Sequence, residues 1–413
     1  MLKIAVILCL NLLFLFGQSA SIDIEKSAAS LAKIAVESYR DAGVTESEQN
    51  QIDAMLLNDI KVSDHLEAVA NPFKNGFDTP VGGVELKAKG IELLLKYKIS
   101  KSQSGYAVET KLIDPLKEAP ITHRYTVFAF KQYPFLAHHI AVGVNDYLQA
   151  PSIDWMKNYV ILAKDTGRKK SDIVIADYTL TYQQTVVGGG YNVFPKWAPS
   201  QSEFYYTAYE DVPTLYKYNI SSGKKTKIIS SDGMLVCSDV SGDGKKLLLT
   251  IPSGGLPDVF LYNMDTKVKA NLTNFGGIDV NGNFIEGDKK IAFVSDRLGH
   301  PTIFAKSIGS NTVEQLIFTP KHNSSFNAKN SFLVHTGRDN GSSNVYLVNT
   351  ASGQKRQITV SGWNSSPRLS KAGDAVLYFK NDGGRTSLGI FRLNSSSTFL
   401  FPANFGKIKS IDW

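Results

Sequence analysis

The chain has 413 residues, 43% of them hydrophobic, with 45 Lys and Arg against 38 Asp and Glu for a formal net charge of +7. That length leaves room for two domains, and the composition excludes wholesale disorder. The charge is uneven: Ile22 to Lys157 carry 15 basic and 18 acidic residues (net −3), whereas Asn158 to Trp413 carry 29 and 20 (net +9).

In chain order, Lys3 is followed by a mostly apolar run from Ile4 to Phe16 and then by small residues through Ser21. The run is too short to span a bilayer and reads as a secretory signal peptide, residues 1–20, with cleavage after Ser19 or Ala20. Cys9 lies inside this run after Leu8, where a lipoprotein signal wants a small residue, so lipidation is not expected. Cys237 is then alone and reads as a small buried residue of an inner strand.

A small α/β domain is expected over residues 21–152. Leu31 to Val36 is strand-like. Thr45 with Glu48 three residues on has the form of a capping box, and Ile52, Leu56 and Ile60 fall on one face of the helix it starts. Gly90 to Ile99 and Tyr106 to Ile113 read as a hairpin about Ser102 to Gly105, and Arg124 to Phe130 as another strand. Leu136, Ile140, Val144 and Leu148 recur at helical spacing over Tyr133 to Gln149. A short connection near Ala150 to Trp155 should hold this domain in a fixed orientation.

From Tyr159 the chain repeats itself. Short apolar strands begin at Tyr159, Phe204, Leu247, Ile291, Phe332 and Val376, about 41 to 45 residues apart, each followed by a polar turn and a second strand. Four short strands per unit of that length is the arithmetic of a propeller blade, so residues 153–413 are expected to form an all-β six-bladed β-propeller. Turns such as Val240 to Gly244 and Leu369 to Asp374 precede the opening strands, which places an innermost strand just before each turn. On that phase the first unit lacks its innermost strand, and the last residues, Lys407 to Trp413, have the pattern of one. They should insert into the first unit and close the ring, removing two exposed sheet edges.

Motifs for chemistry are missing. There is neither a Gly-x-Ser-x-Gly turn nor a His-Glu-x-x-His pair, and His138-His139 sit side by side on a helix, where their side chains diverge. Gly188 to Gly190 lacks a following Lys-Ser/Thr and is turn punctuation. The basic residues are scattered over turns without interleaved aromatics, so a nucleic-acid partner is not expected. Six Asn-x-Ser/Thr sequons, such as those at Asn219 and Asn394, fall in blade turns, where Asn and Ser belong anyway. Distant loops of a propeller could still gather carboxylates and histidines at the axis, which keeps a metal-dependent channel hydrolase or lactonase as the alternative to a binding protein.

Ile291-Ala-Phe-Val-Ser-Asp-Arg-Leu-Gly-His-Pro-Thr-Ile-Phe304 follows an apolar strand, Ser-Asp, Gly-x-Pro, apolar strand signature, and Asn344 to Thr359 follows the next element. With Gly90-Ile-Glu and Ser104 to Asp114 in the small domain, nearly the whole mature chain resembles the TolB family of the Tol-Pal system of Gram-negative bacteria. Two departures stand out: the turn after Asp279 reads Val-Asn-Gly-Asn, and Asn323-Ser-Ser-Phe-Asn-Ala-Lys lacks the acidic turn.

The resemblance implies a non-enzymatic periplasmic adaptor without a cofactor, supporting outer-membrane integrity and constriction during cell division. Loops joining each outermost strand to the next innermost strand would receive Pal, an outer-membrane lipoprotein, and the mature N-terminal segment would engage TolA of the inner membrane. By that resemblance Met234 and Val280, and by equivalence of blade position His322 and Trp363, face the partner, while Ile22, Asp23 and Ile24 form the N-terminal segment. Nothing in the sequence calls for a structural Ca²⁺ in the channel.

Overall fold

The computed structural model describes residues 31–73, 75–339, 341–402 and 406–413. The expected signal peptide and Ile22, Asp23 and Ile24 lie outside them.

The small domain is built on a five-stranded sheet. Its elements in order are β1 (Ala32–Arg40), α1 (Glu46–Ser63), β2 (Leu66–Val69), α2 (Gly83–Ala88), β3 (Leu93–Ser102), β4 (Gly105–Ile113), β5 (Ile121–Val127) and α3 (Tyr133–Tyr147). The sheet order is β2-β1-β3-β4-β5, with β1 parallel to both neighbours and the remaining pairs antiparallel. Helix α1 begins at the capping box: the Glu48 N–H donates to the Thr45 hydroxyl at 3.2 Å, and the Thr45 N–H donates to Glu48 Oε2 at 2.8 Å. These bonds satisfy N–H groups that a helix start otherwise leaves open. Ile52, Leu56 and Ile60 then reach the core together with Leu136, Ile140 and Val144 of α3.

One strand boundary differs from expectation. β5 ends at Val127 and not at Phe130, because the Gln132 side chain accepts from the N–H groups of Phe128 and Ala129 and turns the chain into a short 3-10 segment. A second capped turn thus took residues that their apolar character had assigned to the strand.

The segment between α3 and the first propeller strand is packed rather than free. Ile153, Trp155 and Met156 are buried with Val62 and Val142 of the small domain and with Trp413 from the chain's end. The small domain and the strand-rich region therefore share a core and fall in one compact unit, residues 32–413.

Each opening strand expected from the repeat is the second strand of a four-stranded group. The first blade runs Ile408–Asp412, Val160–Gly167, Lys170–Ala176, Gln183–Val187, so the terminal strand pairs with the strand at the start of the repeat region. The inner strands of the next five groups are Asn192–Trp197, Val236–Val240, Asp279–Ile285, His322–Lys329 and Trp363–Leu369. The last two groups are counted as one eight-stranded sheet because a single bridge, Ser343 to Trp363, links them. Inner strands touch in chain order, and Ile408–Asp412 touches both Asn192–Trp197 and Trp363–Leu369. Hydrogen bonding does not run continuously around the circle; apolar clusters shared by neighbouring blades join them.

Candidate partner-binding surface

Every inner strand slips register once against its neighbour. Such bulges re-aim side chains, and at Phe194, Asn281 and Ser366 they hold non-glycine residues at φ of +54°, +56° and +52°. At each slip or two residues beyond it, six equivalent positions form a ring around the axis: Asp412, Lys196, Asp239, Asn283, Asn327 and Arg368.

The acceptors in this ring bind the next blade. Asp412 Oδ2 takes the Trp197 N–H at 2.9 Å, Asp239 Oδ2 that of Phe284 at 2.9 Å, Asn283 Oδ1 that of Ala328 at 3.1 Å and Asn327 Oδ1 that of Leu369 at 2.9 Å. Lys196 and Arg368 cannot accept, so they donate: Lys196 Nζ reaches Asp412 at 3.1 Å and Asp239 at 3.4 Å, and Arg368 Nε reaches the Ile411 carbonyl at 2.8 Å. Burial opposes the Lys196 charge, but the two carboxylates outweigh it and raise the ammonium's pKa. Ca²⁺ wants six to eight oxygen ligands. Lys196 already stands between the two carboxylates of the ring, so these residues do not fit a resident Ca²⁺. Among the described residues no three His, Cys, Asp or Glu side chains are grouped to hold a metal. Cys237 is buried beside the ring, and burial pushes its thiol up, away from the reactive thiolate.

Alternation of strand direction puts two sets of loops on one face of a propeller: those between second and third strands and those joining each blade to the next. Among the described propeller residues, the exposed large apolar side chains all lie in or beside these loops except Val268 and Leu400. They include Met234, Ile278, Phe318, Val360 and Trp363. Monomeric proteins rarely gather exposed apolar groups in this way without a binding role.

Met234, Val280, His322 and Trp363 all lie on this face, but in two separate depressions. Met234 and Val280 line a cavity of about 320 Å³ over the channel, walled by Phe194, Phe326 and the ring. His322 and Trp363 line a groove of about 570 Å³ between the fifth and sixth blades. The His322 ring packs on His300 at 5.3 Å between centroids, and the Arg338 guanidinium lies over the Trp363 ring at 4.8 Å.

The small domain covers the opposite face. There His138 of α3 is fully buried, with Nδ1 2.7 Å from Asp59 of α1 and Nε2 3.4 Å from Asp177 of the first blade. The Tyr178 hydroxyl donates to Asp59 at 2.6 Å, and Asp177 accepts from the N–H groups of Tyr182 and Thr179 and from the Thr179 hydroxyl. Burial opposes a charge on His138, but the two carboxylates outweigh it and hold the imidazole up to about 9. Burial also pushes the Asp59 carboxyl up, which by itself favours a neutral pair. The Tyr178 bond and the second carboxylate favour imidazolium donating on both sides. Nearby, buried Arg392 donates to His65, and Ser397 donates to Asp64.

Comparison with known proteins agrees with this architecture. Residues 157–413 match the TolB beta propeller domain and residues 20–121 the TolB amino-terminal domain. Proteins named Tol-Pal system protein TolB are 40% identical in Wolinella succinogenes and 41% in Campylobacter jejuni, over the whole of both chains. The chain belongs to the TolB family. In Helicobacter pylori a TolB relative is 36% identical over 97% of each chain. The crystal structure of TolB from Acinetobacter baumannii superposes with a TM-score of 0.77, covering 93% of this chain and 96% of that one; at 21% identity it shows the fold alone.

Sequence reasoning missed two features of this TolB-family chain. Three ring residues stand two positions before the residue that opens an inter-strand turn, Lys196 before Ala198, Asp239 before Ser241 and Arg368 before Ser370, but the ring's mixture of Asp, Lys, Asn and Arg hides the equivalence. The divergence of His138 and His139 on one helix gives no sign of the partners of His138, which lie 79 and 39 residues away.

Proposed function

We propose that this chain is the non-enzymatic periplasmic adaptor of a Tol-Pal system, exported by its N-terminal signal peptide. The loop face of the propeller receives a Pal-like outer-membrane lipoprotein, and the N-terminal segment at Ile22, Asp23 and Ile24 engages a TolA-like inner-membrane protein. The link supports outer-membrane integrity and constriction during division. What carries this reading is the concentration of exposed apolar side chains on the loop face, opposite the face that the small domain covers. A rigid scaffold presenting several loops as one surface suits recognition of a folded partner.

Met234 and Trp363 are the anchors to test. Aromatic and other large apolar side chains at the centre of an interface carry much of its energy, often 2 kcal/mol or more each. Trp363→Ala and Met234→Ala are each expected to weaken calorimetric binding of the purified lipoprotein at least tenfold while thermal unfolding stays unchanged. Binding within twofold of the parent for both variants contradicts the assignment of this face.

The N-terminal segment should act separately. Deleting residues 22–24 is expected to abolish capture of the soluble part of the TolA-like protein and leave lipoprotein binding intact. Loss of both, or of neither, counts against a division of labour between the two ends. Stoichiometric divalent metal in the purified protein would instead favour the channel hydrolase or lactonase.

A further inference from the structure

We infer that the groove between the fifth and sixth blades is a docking site for an acidic segment of a protein partner, with Arg338 and Lys321 selecting its carboxylates. This rests on the reading of the loop face as the partner surface and adds a second, chemically distinct anchor to the channel cavity.

The groove is built across four strands. His322 stands opposite Arg338 within the fifth blade, Arg338 opposite Ser343, and Ser343 is bridged to Trp363 of the sixth. This row runs across the point where two blades are hydrogen-bonded to each other, so its side chains project from a continuous sheet. Lys355 steadies the entry loop by donating to the Thr319 carbonyl at 2.9 Å and to its hydroxyl at 2.6 Å.

Its lining is net positive. Lys321 and Arg338 are exposed and line the groove, and among the described residues neither has a carboxylate within ion-pairing distance. Asp339 is the one carboxylate in the lining. The Arg338 guanidinium lies over the Trp363 ring at 4.8 Å, and the planar fork of donors that a guanidinium carries suits a carboxylate.

The surroundings are apolar. Phe318 is 68% exposed and Val360 84% exposed, each just before the groove residues in its loop, and Trp363 is 43% exposed. A peptide that alternates carboxylates with apolar side chains uses both features. An anionic glycan has no apolar side chains to set against Phe318 and Val360.

The probe is the peptide acetyl-Asp-Leu-Glu-Phe-Glu-Leu-amide, with its Asn/Gln twin as control, titrated calorimetrically into the full mature chain. The acidic peptide is expected to bind at least tenfold tighter than the twin, and the pair Lys321→Gln with Arg338→Gln to remove at least tenfold of that affinity without lowering Tm. Equal binding of the two peptides overturns the proposal. So does an unchanged affinity in the double variant, or an equal loss from Lys169→Gln with Lys170→Gln on the first blade, which would mean diffuse charge attraction. Stronger competition by a hyaluronate oligosaccharide than by the peptide overturns it in favour of a glycan. Lipoprotein binding separates the two readings: if Met234→Ala weakens it and the double variant does not, the groove assignment fails alone. If neither weakens it, the loop-face reading fails as well.

Discussion

Removing residues 408–413 is expected to abolish the cooperative unfolding of the propeller and drive the protein into aggregates. The deletion bares the Val160–Gly167 strand, which pairs along Ile408–Asp412 in the intact chain, and an open edge of that kind templates association between molecules. It also strips Trp155 of its contact with Trp413, at 5.6 Å between ring centroids, and takes Asp412 out of the ring. A single change isolates that last effect. Asp412→Ala leaves Lys196 facing Asp239 alone, the Trp197 N–H without its acceptor and Arg368 without its nearest carboxylate. Removing one partner of a buried, hydrogen-bonded ion pair costs about 3–5 kcal/mol. For a single transition of the unit spanning residues 32–413, with an unfolding entropy of about 2.1 cal/mol/K per residue, that lowers Tm by roughly 4–6 °C. Asp412→Asn keeps an acceptor for Trp197 and should lose less. Calorimetry decides: a Tm for Asp412→Ala within about 2 °C of the parent would show that the ring does not brace the circle.

His138→Ala is expected to uncouple the small domain from the propeller. Without the imidazole, Asp59 and Asp177 are left buried with no cation between them, at a cost of roughly 3–5 kcal/mol. The loss should split a single thermal transition into two and raise protease sensitivity around residues 148–153. The pH dependence carries its own signature. His138 is held up to about 9 from its ordinary 6.5, so its stabilisation is fully present below pH 6.5 and is lost as pH rises through 9. The raised pKa of Asp59 acts in the same direction, because deprotonation then costs folding free energy. Over that window the shift is worth on the order of 3 kcal/mol. The parent protein's Tm should therefore fall between pH 6.5 and 9.5, whereas His138→Gln, which cannot titrate, should lose most of that slope. An unchanged slope in His138→Gln would place the titrating group elsewhere.

How legible these features were depends on the range over which their physics acts. The Thr45–Glu48 capping box and the apolar face of α1 were readable because both are set within a single turn or two of helix. The end of β5 was not, since Phe128 and Phe130 look like strand residues and the Gln132 side chain that halts them competes with nothing visible in their own pattern. Met234 and Val280 could be placed on one face by the family resemblance, and His322 and Trp363 by equivalence of blade position. Their separation into a channel cavity and a groove could not be counted, because it follows from which blades become hydrogen-bonded, and the single bridge from Ser343 to Trp363 has no local signal.

By itself the order of residues determined the repeat, its period, the phase of the strands and the need for a terminal segment to complete the first blade. All of these follow from hydrophobic alternation and turn residues, whose effects reach only a few positions along the chain. The folded structure alone decided that Lys196, Asp239, Asp412 and Arg368 meet at the axis, that His138 lies between two carboxylates, and that among the described residues Arg338 has no carboxylate within ion-pairing distance. Charges interact through space and are valued by burial. Their partners are therefore set by the folded path that brings distant residues together, whatever their separation in sequence.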